Sequence, residues 1–376
     1  MEDDKLMKRK VCIFSSVRQR DCVRMFHKES VGLASFGYNV TLVVADGRGN
    51  EVIKGVTIID VGKEKSRFRR WTKTMLNIWK KAKEVDCDVY QFNDPELLFI
   101  GLLLKKSGKK VVWDMHENIP ADLMQKKYMP HLIKVFITAV YSKLEIFSVK
   151  KIDAVMCTRQ SVQKRLVKHN KNVILLSNFP VTNYEISIQK RDERIICFAG
   201  AIVRNYQHKE IIQAIEKIEN IKYLLAGQIN EKYLNELKAL KGWEKVEYLG
   251  IIPFEEVKKM YSRSSLGLAI HKYTANMDWQ TGNYALTKIF ELMVWELPVV
   301  CTNYTLWEEE IFSSYKCGIT VNPTNVDEIE KAIRYLLDHP NEAAEMGRVG
   351  RSVALESFSW EKEEKKLTGL YQNLLN

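Results

Sequence analysis

A lysine and a glutamate three residues apart, Lys288 and Glu291, open what reads as a helix within TGNYALTKIFELMVWELPVV, residues 281–300. That spacing puts both side chains on one helical face. The free N–H groups and positive dipole of a helix N-terminus suit a phosphate. The lysine adds a point charge for a diphosphate, and a carboxylate one turn on can accept two hydroxyls of a ribose. Taken alone, the pattern is more often an ordinary surface ion pair. Asp94, followed by Pro95 and ELLFIGLLLKKSG, reads as a helix cap. Seven scattered cysteines without a CxxC pair read as small buried side chains in a reducing compartment. The sequence shows no DxD-type cluster or His/Asp set with metal-ligand spacing.

Two series of alternating strands and helices must position these groups. KVCIFSSV, YNVTLVVAD, DVYQFN, KKVVWDMHE and AVMCT are strands, with a helix over 21–37, a basic helix near 67–85 and ELLFIGLLLKKSG between them. The polar stretch between Leu176 and Arg194 reads as a linker. IICFAG, KYLLAG, VEYLG, SLGLAIH, LPVVCT and GITVN then form a second series. The expected fold is α/β, with two doubly wound Rossmann-like domains over 1–180 and 190–358. Ligands should lie at the strands' C-terminal ends, in a cleft between the domains. The closing segment 359–376 reads as an amphipathic helix with Trp360, Leu367, Leu370, Tyr371 and Leu374 on one side.

The 376 residues carry a net charge of +11, unevenly placed. Residues 1–180 hold 34 Lys/Arg against 19 Asp/Glu, a balance of +15, and the remainder 24 against 28, a balance of −4. One half wants an anionic partner and the other does not. The N-terminus lacks the pattern of a signal peptide, and no apolar run reads as a transmembrane helix. KEKSRFRRWTKTMLNIWKKAK mixes cations with Phe68, Trp71 and Trp79, and LIKVFITAVYSKLEIF is apolar with lysines nearby. Such helices either lie on an anionic membrane or pack their apolar faces inward. No zinc finger, RNP-like segment or other nucleic-acid module accompanies the basic surface, so no nucleic-acid partner is expected.

The stretch 281–300 resembles the donor-site signature of the retaining GT-B glycosyltransferases of family 4. The resemblance continues through CGITVNP, DEIEKAIRYLLDHPNEAAEMGRVGR and FSW. In the first half RDCVRMFHKESVGLASFGYNVTLVVAD, VYQFNDPELLFIGLLLKKSGKKVVWDMHE and LLSNFP are similar to a bacterial surface-polysaccharide branch of that group. The resemblance implies a nucleotide-sugar donor, with uridine the favoured base and guanosine second, and no cofactor or divalent metal. It implies that Lys288 contacts the donor diphosphate and Glu291 the ribose. Arg204 and Lys209 would aim at the same diphosphate, with His208 as the alternative to Lys209. Thr287 and the turn around Ile251 would complete the donor site, the latter through main-chain contacts to the base. His116 would stand beside the reacting sugar, with Glu117 and Asp94 as further acid/base candidates. The helix 359–376 would pack back on the first domain.

The sequence departs from that pattern at four places. Asn283 stands where the family's first acid meets the donor sugar. Gln91 and Asn93 replace a His-x-His, Ser15–Ser16 a glycine-rich turn, and Glu296 a glycine. A glutamate in a left-handed backbone would cost about 1 kcal/mol. The expected function is sugar transfer, with retention, to a saccharide or lipid-linked saccharide in surface-polysaccharide (O-antigen or capsule) assembly. The expected location is the cytoplasm, at the inner face of the membrane. The competing readings are a sugar-nucleotide epimerase, a non-catalytic sugar-nucleotide-binding relative, and a nucleic-acid-binding protein.

Overall fold

The computed structural model describes residues 9–126, 128–188, 191 and 194–376. The charged opening segment, part of the linker, and position 190 where the second domain is expected to start lie outside them. The chain forms two compact units: residues up to Asn178 together with Lys362–Asn376, and Phe179–Glu361.

The first unit holds strands β1 (Lys10–Phe14), β2 (Asn39–Val44), β3 (Glu51–Ile53), β4 (Val56–Asp60), β5 (Val89–Phe92), β6 (Lys110–Met115), β7 (Ala154–Cys157) and β8 (Val173–Leu175). They form one sheet in the order β3-β4-β2-β1-β5-β6-β7-β8. All pairs are parallel except the β3–β4 hairpin. Val11 to Phe14 and Val89 to Phe92 are buried end to end, as expected where helices cover both faces of a parallel sheet. The hairpin and β8 were not legible as strands in the sequence, being three to five residues long and at the sheet edges.

The second unit holds β9 (Ile195–Ala199), β10 (Lys222–Ala226), β11 (Val246–Gly250), β12 (Leu266–Ala269), β13 (Val299–Thr302) and β14 (Gly318–Val321), all six as read from the sequence. Their order is β11-β10-β9-β12-β13-β14, all parallel. Each sheet therefore has a point where the strand order reverses: beside β1 in the first unit and beside β9 in the second. Open α/β sheets bind ligands beyond the strand C-termini at that point.

The helix Trp360–Leu375 buries Trp360, Leu367, Leu370, Tyr371 and Leu374, the stripe read from the sequence. Residues from Lys362 onward belong to the first unit, where Glu363 accepts a hydrogen bond from the Ser177 N–H (2.8 Å). Six of the seven cysteines are buried, and Cys22 is half-buried.

Candidate active site

In the second unit Gly200 follows β9 and Gly227 follows β10. A Cβ on Gly227 would lie 1.7 Å from the Gly200 carbonyl oxygen, so only glycine permits the two turns to meet. The Lys288 side chain lies across this end of β9, its Cε 3.7 Å from where a Gly200 Cβ would stand. Lys288 is the first residue of the helix Lys288–Val294, which spans about two turns. Its ammonium donates to Glu291 and, at 3.3 Å, to the Tyr261 hydroxyl. Tyr261 in turn donates to the other Glu291 oxygen at 3.0 Å. Tyr261 reaches the pair from inside the core, from helix Phe254–Arg263. The shared face expected for Lys288 and Glu291 is thus present, with a tyrosine that no local pattern announced.

The loop before this helix is held by Asn283, which is fully buried. Its amide donates to Asn276 O (3.0 Å) and Asp278 Oδ2 (3.1 Å), and its Oδ1 accepts from the Ala285 N–H (3.0 Å). The expectation that Asn283 meets a donor sugar is corrected: every polar atom of its side chain works inside the loop. That loop carries Asp278 and Trp279, both left-handed (φ 52° and 57°), a strained arrangement the asparagine helps to hold. Thr287 precedes the helix, its carbonyl accepting from the Glu291 N–H (3.1 Å), and its hydroxyl makes no cap bond. Ile251 is exposed just beyond β11.

The basic loop after β9 differs from expectation. Arg204 is turned to Glu236 (2.5 Å) and lies 4.6 Å over the Tyr233 ring, with no contact to Lys288. With Gln228, Asn230, Lys232 and Tyr233 it lines a cavity of about 880 Å³. Lys209 is exposed on helix His208–Glu216. His208, the alternative to Lys209, is a core residue: it is fully buried, bonds the Tyr223 hydroxyl at 3.0 Å and packs edge-on to Phe198. Burial drives its pKa down to about 3, so it stays neutral and offers no charge to a phosphate. Sequence alone could not tell the inward position from the outward one in a helix whose start was unclear.

In the first unit a cavity of about 530 Å³ opens at the C-terminal ends of β1, β5 and β6. Asp94, Glu96, His116, Glu117, Arg18, Arg70 and Lys126 are among its lining residues. Asp94 occupies the cap position before Pro95, but its side chain makes no cap bond. Its Oδ2 instead accepts from Ser15 Oγ (2.6 Å) and from the Ser16 N–H (2.7 Å). The cap reading is therefore corrected: the carboxylate is drawn to the Ser15 hydroxyl and the Ser16 N–H and closes the turn after β1 instead of the helix end. This also explains why serines can replace glycines there. Glu117 is exposed on the rim and makes no hydrogen bond or ion pair among the described residues.

His116 Nε2 is bonded to Asp114 Oδ2, two residues back on the same side of β6. Asn93 donates to the same oxygen at 2.8 Å. Burial lowers the His116 pKa, the Asp114 charge opposing, so the ring is neutral near pH 7. With Nε2–H donated to Asp114, the Nδ1 lone pair is the acceptor left over. Asp114 is itself gripped by Arg24 (3.1 and 2.8 Å), which also lies 2.8 Å from Glu29. Arg24 and Glu29 are five residues apart, and the segment Val23–Ser30 winds with i→i+5 turns that stack such residues on one side. A regular helix over 21–37 would have splayed them. Gln91 donates to Glu29 (2.7 Å) and accepts from Tyr371 of the helix Trp360–Leu375. The replacements at Gln91 and Asn93 thus serve a buried network.

Within that network Glu29 is pushed up to about 8 by burial and by the Asp114 charge, with Arg24 opposing. Burial acts on Asp114 in the same sense, but Arg24 and His116 prevail and hold it well below the usual carboxylate range. Ligand atoms of Glu29, Asp114 and His116 lie within 4.8 Å of one another, a grouping that spacing did not reveal. The Arg24 guanidinium already supplies the positive charge between the carboxylates, so the trio reads as an ion cluster.

Comparison with known proteins agrees with this architecture. Residues 23–178 match the family model described as Glycosyltransferase Family 4, and residues 182–353 the one described as Glycosyl transferases group 1. A mannosyltransferase of Mycolicibacterium hassiacum is 29% identical over 85 residues, covering 23% of this chain and 21% of that protein. Sucrose-phosphate synthase from Thermosynechococcus elongatus shares the fold at a TM-score of 0.77 with 14% identity, covering 98% of this chain and 99% of that one. The HepE protein of Anabaena, solved with UDP-glucose, does so at 0.68 with 11% identity, covering 97% and 99%. With two parallel-sheet units of this topology and both family models matched in order, the chain belongs to the family 4-like GT-B glycosyltransferases.

Proposed function

We propose that this protein moves a sugar from a nucleotide-sugar donor to a saccharide acceptor, the donor being held by the second unit. The observation that carries the reading is the Lys288–Glu291–Tyr261 cluster over the glycine turn at the end of β9. As the glycosidic bond breaks, negative charge builds on the leaving diphosphate, and the Lys288 ammonium meets it in a partly buried setting. The helix behind it is too short to add much, so the lysine is the main source of charge. That source makes a divalent ion unnecessary, and turnover should survive EDTA. Glu291 takes the ribose hydroxyls when Lys288 turns to the phosphates. Arg204 joins the diphosphate only if it leaves Glu236.

Uridine is the favoured base, supported by the UDP-glucose bound to HepE, with guanosine second. The His116 cavity of the first unit receives the acceptor, whose hydroxyl donates to Nδ1. Transfer with retention, a lipid-linked acceptor and a place in surface-polysaccharide assembly complete the reading, with the basic first unit facing an anionic membrane. No helix among the described residues is long and apolar enough to cross one.

Thermal-shift screening against UDP-, GDP-, ADP- and dTDP-sugars without metal tests the donor site. Ligand at about a hundred times its Kd stabilises by roughly 2.7 kcal/mol. One nucleotide should give that shift and Lys288→Ala should lose it. Silence from all four would sink the reading.

A further inference from the structure

The helix His131–Val149 is 19 residues long, and only Glu145, Ser148 and Val149 are fully buried. Leu132 is 82% exposed and Phe136 70%, with Val140 and Phe147 also bare along the same helix. An apolar surface of this extent marks an interaction site. Its only carboxylate, Glu145, is buried and ion-paired with Arg165, so Lys134 and Lys143 leave the helix's outer charge wholly positive.

A second segment repeats the combination. Phe68 is 77% and Trp71 60% exposed, beside Arg69 and Lys73 in the helical stretch 67–85. Arg70, between the two aromatics, lines the His116 cavity, as do Ile119 and Lys126. The helix Ile119–Gln125 packs against His131–Val149. The first apolar set thus packs on a helix that lines this cavity, and the second flanks a residue that lines it.

We propose that His131–Val149, together with Phe68 and Trp71, is the surface on which this unit lies in the plane of an anionic lipid bilayer. Apolar side chains flanked by cations fit the headgroup boundary of such a membrane. A second copy of the chain fits less well, because a two-fold pairing through this helix would set Lys134 and Lys143 against like charges. The consequence for the reaction, resting on the function proposed above, is that a lipid-borne acceptor reaches His116 without leaving the membrane.

The test is co-sedimentation of the full chain with vesicles of phosphatidylcholine alone and of phosphatidylcholine with phosphatidylglycerol. Wild type should bind the anionic vesicles and be released by salt. Leu132→Ser with Phe136→Ser and Phe147→Ser, all at exposed sites, should weaken that binding roughly ten-fold or more. Lys134→Gln with Lys143→Gln should weaken it on anionic vesicles only. An unchanged melting curve would show each variant is folded. Wild type that ignores anionic vesicles, or a triple variant that binds them as well as wild type, would overturn the proposal. So would a triple variant that turns a wild-type dimer into a monomer with vesicle binding intact. Neither vesicle binding nor its loss needs donor or turnover, so this failure is distinct from failure of the donor site.

Discussion

The charged cluster at the strand ends of the second unit and the one in the first are built in opposite ways. Lys288 and Glu291 are neighbours in sequence, partly open to solvent and joined by one tyrosine from a second helix. Arg24 and Glu29, Gln91, Asp114 and Tyr371 come from four separate segments and are closed off from water. The first arrangement pairs its charges at a place that solvent, and so a ligand, can reach. The second keeps its charges for one another and passes only an orientation to the surface, through the Asp114–His116 contact. Losing a residue from the first should cost activity; losing one from the second should cost stability.

The largest expected effect falls on the buried cluster. Arg24→Met leaves the buried Asp114 carboxylate without its counter-charge and the Glu29 carboxyl without its guanidinium neighbour, and breaking a buried pair this way typically costs about 3–5 kcal/mol. Urea unfolding should show it as early melting of the first unit while donor-induced stabilisation of the second survives. A loss below about 1 kcal/mol would erase the contrast.

Lys288→Ala should do the reverse. Removing one preorganised group at a developing charge costs about 10²–10³ in rate, or roughly 2.7–4 kcal/mol of transition-state stabilisation. The melting curve without nucleotide should barely move. If kcat/KM is also unmoved, the pair is an ordinary surface contact.

The pH dependence of stability sharpens the comparison further. A glutamate titrates near 4.3 in an unfolded chain, and Glu29 in the fold near 8. The folded state therefore binds an extra proton between those values. The stability this supplies is complete below about pH 4.3 and is lost as pH rises through about 8. Glu29→Gln fixes the neutral form and should flatten that decline in urea midpoints measured across the window. Parallel profiles for the two proteins would mean that Glu29 is ionised throughout.

The smallest effect concerns Glu296, whose φ is +54° at the turn between the Lys288 helix and β13. The left-handed backbone anticipated for this position is present. Glu296→Gly should stabilise by about 1 kcal/mol, read as a small rise in Tm, since among the described residues the side chain makes only a 3.7 Å contact to Arg351. No gain would mean that contact matters more than the backbone strain.

Legibility followed sequence distance. All six strands of the second unit and the Lys288–Glu291 face could be read because each rests on a short local pattern. The buried stripe of the helix Trp360–Leu375 could be read for the same reason. His116 was legible as a residue at a strand end, and strand alternation also offered Asp114 as its partner, a signal that went unused. Arg24 and Glu29 were hidden, because the i→i+5 winding that unites them has no sequence signature and a regular helix was the simpler reading. Asn283 and His208 misled for one reason: a polar side chain beside a site can equally be part of the scaffold. Only packing decides which.

The Tyr371–Gln91 bond has a consequence for the time course of synthesis. The first unit is interrupted in sequence by the whole of the second, Phe179–Glu361. At about 5–20 residues per second, a ribosome needs roughly 10–40 s to make that intervening stretch. Throughout that interval Gln91 lacks its Tyr371 partner, and the groove filled by Leu367, Leu370 and Leu374 lies open. The second unit, continuous in sequence, can close first. The nascent first half must therefore wait, incomplete and strongly cationic, for its final helix, and this is the stage at which a chaperone or an anionic surface would find it most receptive.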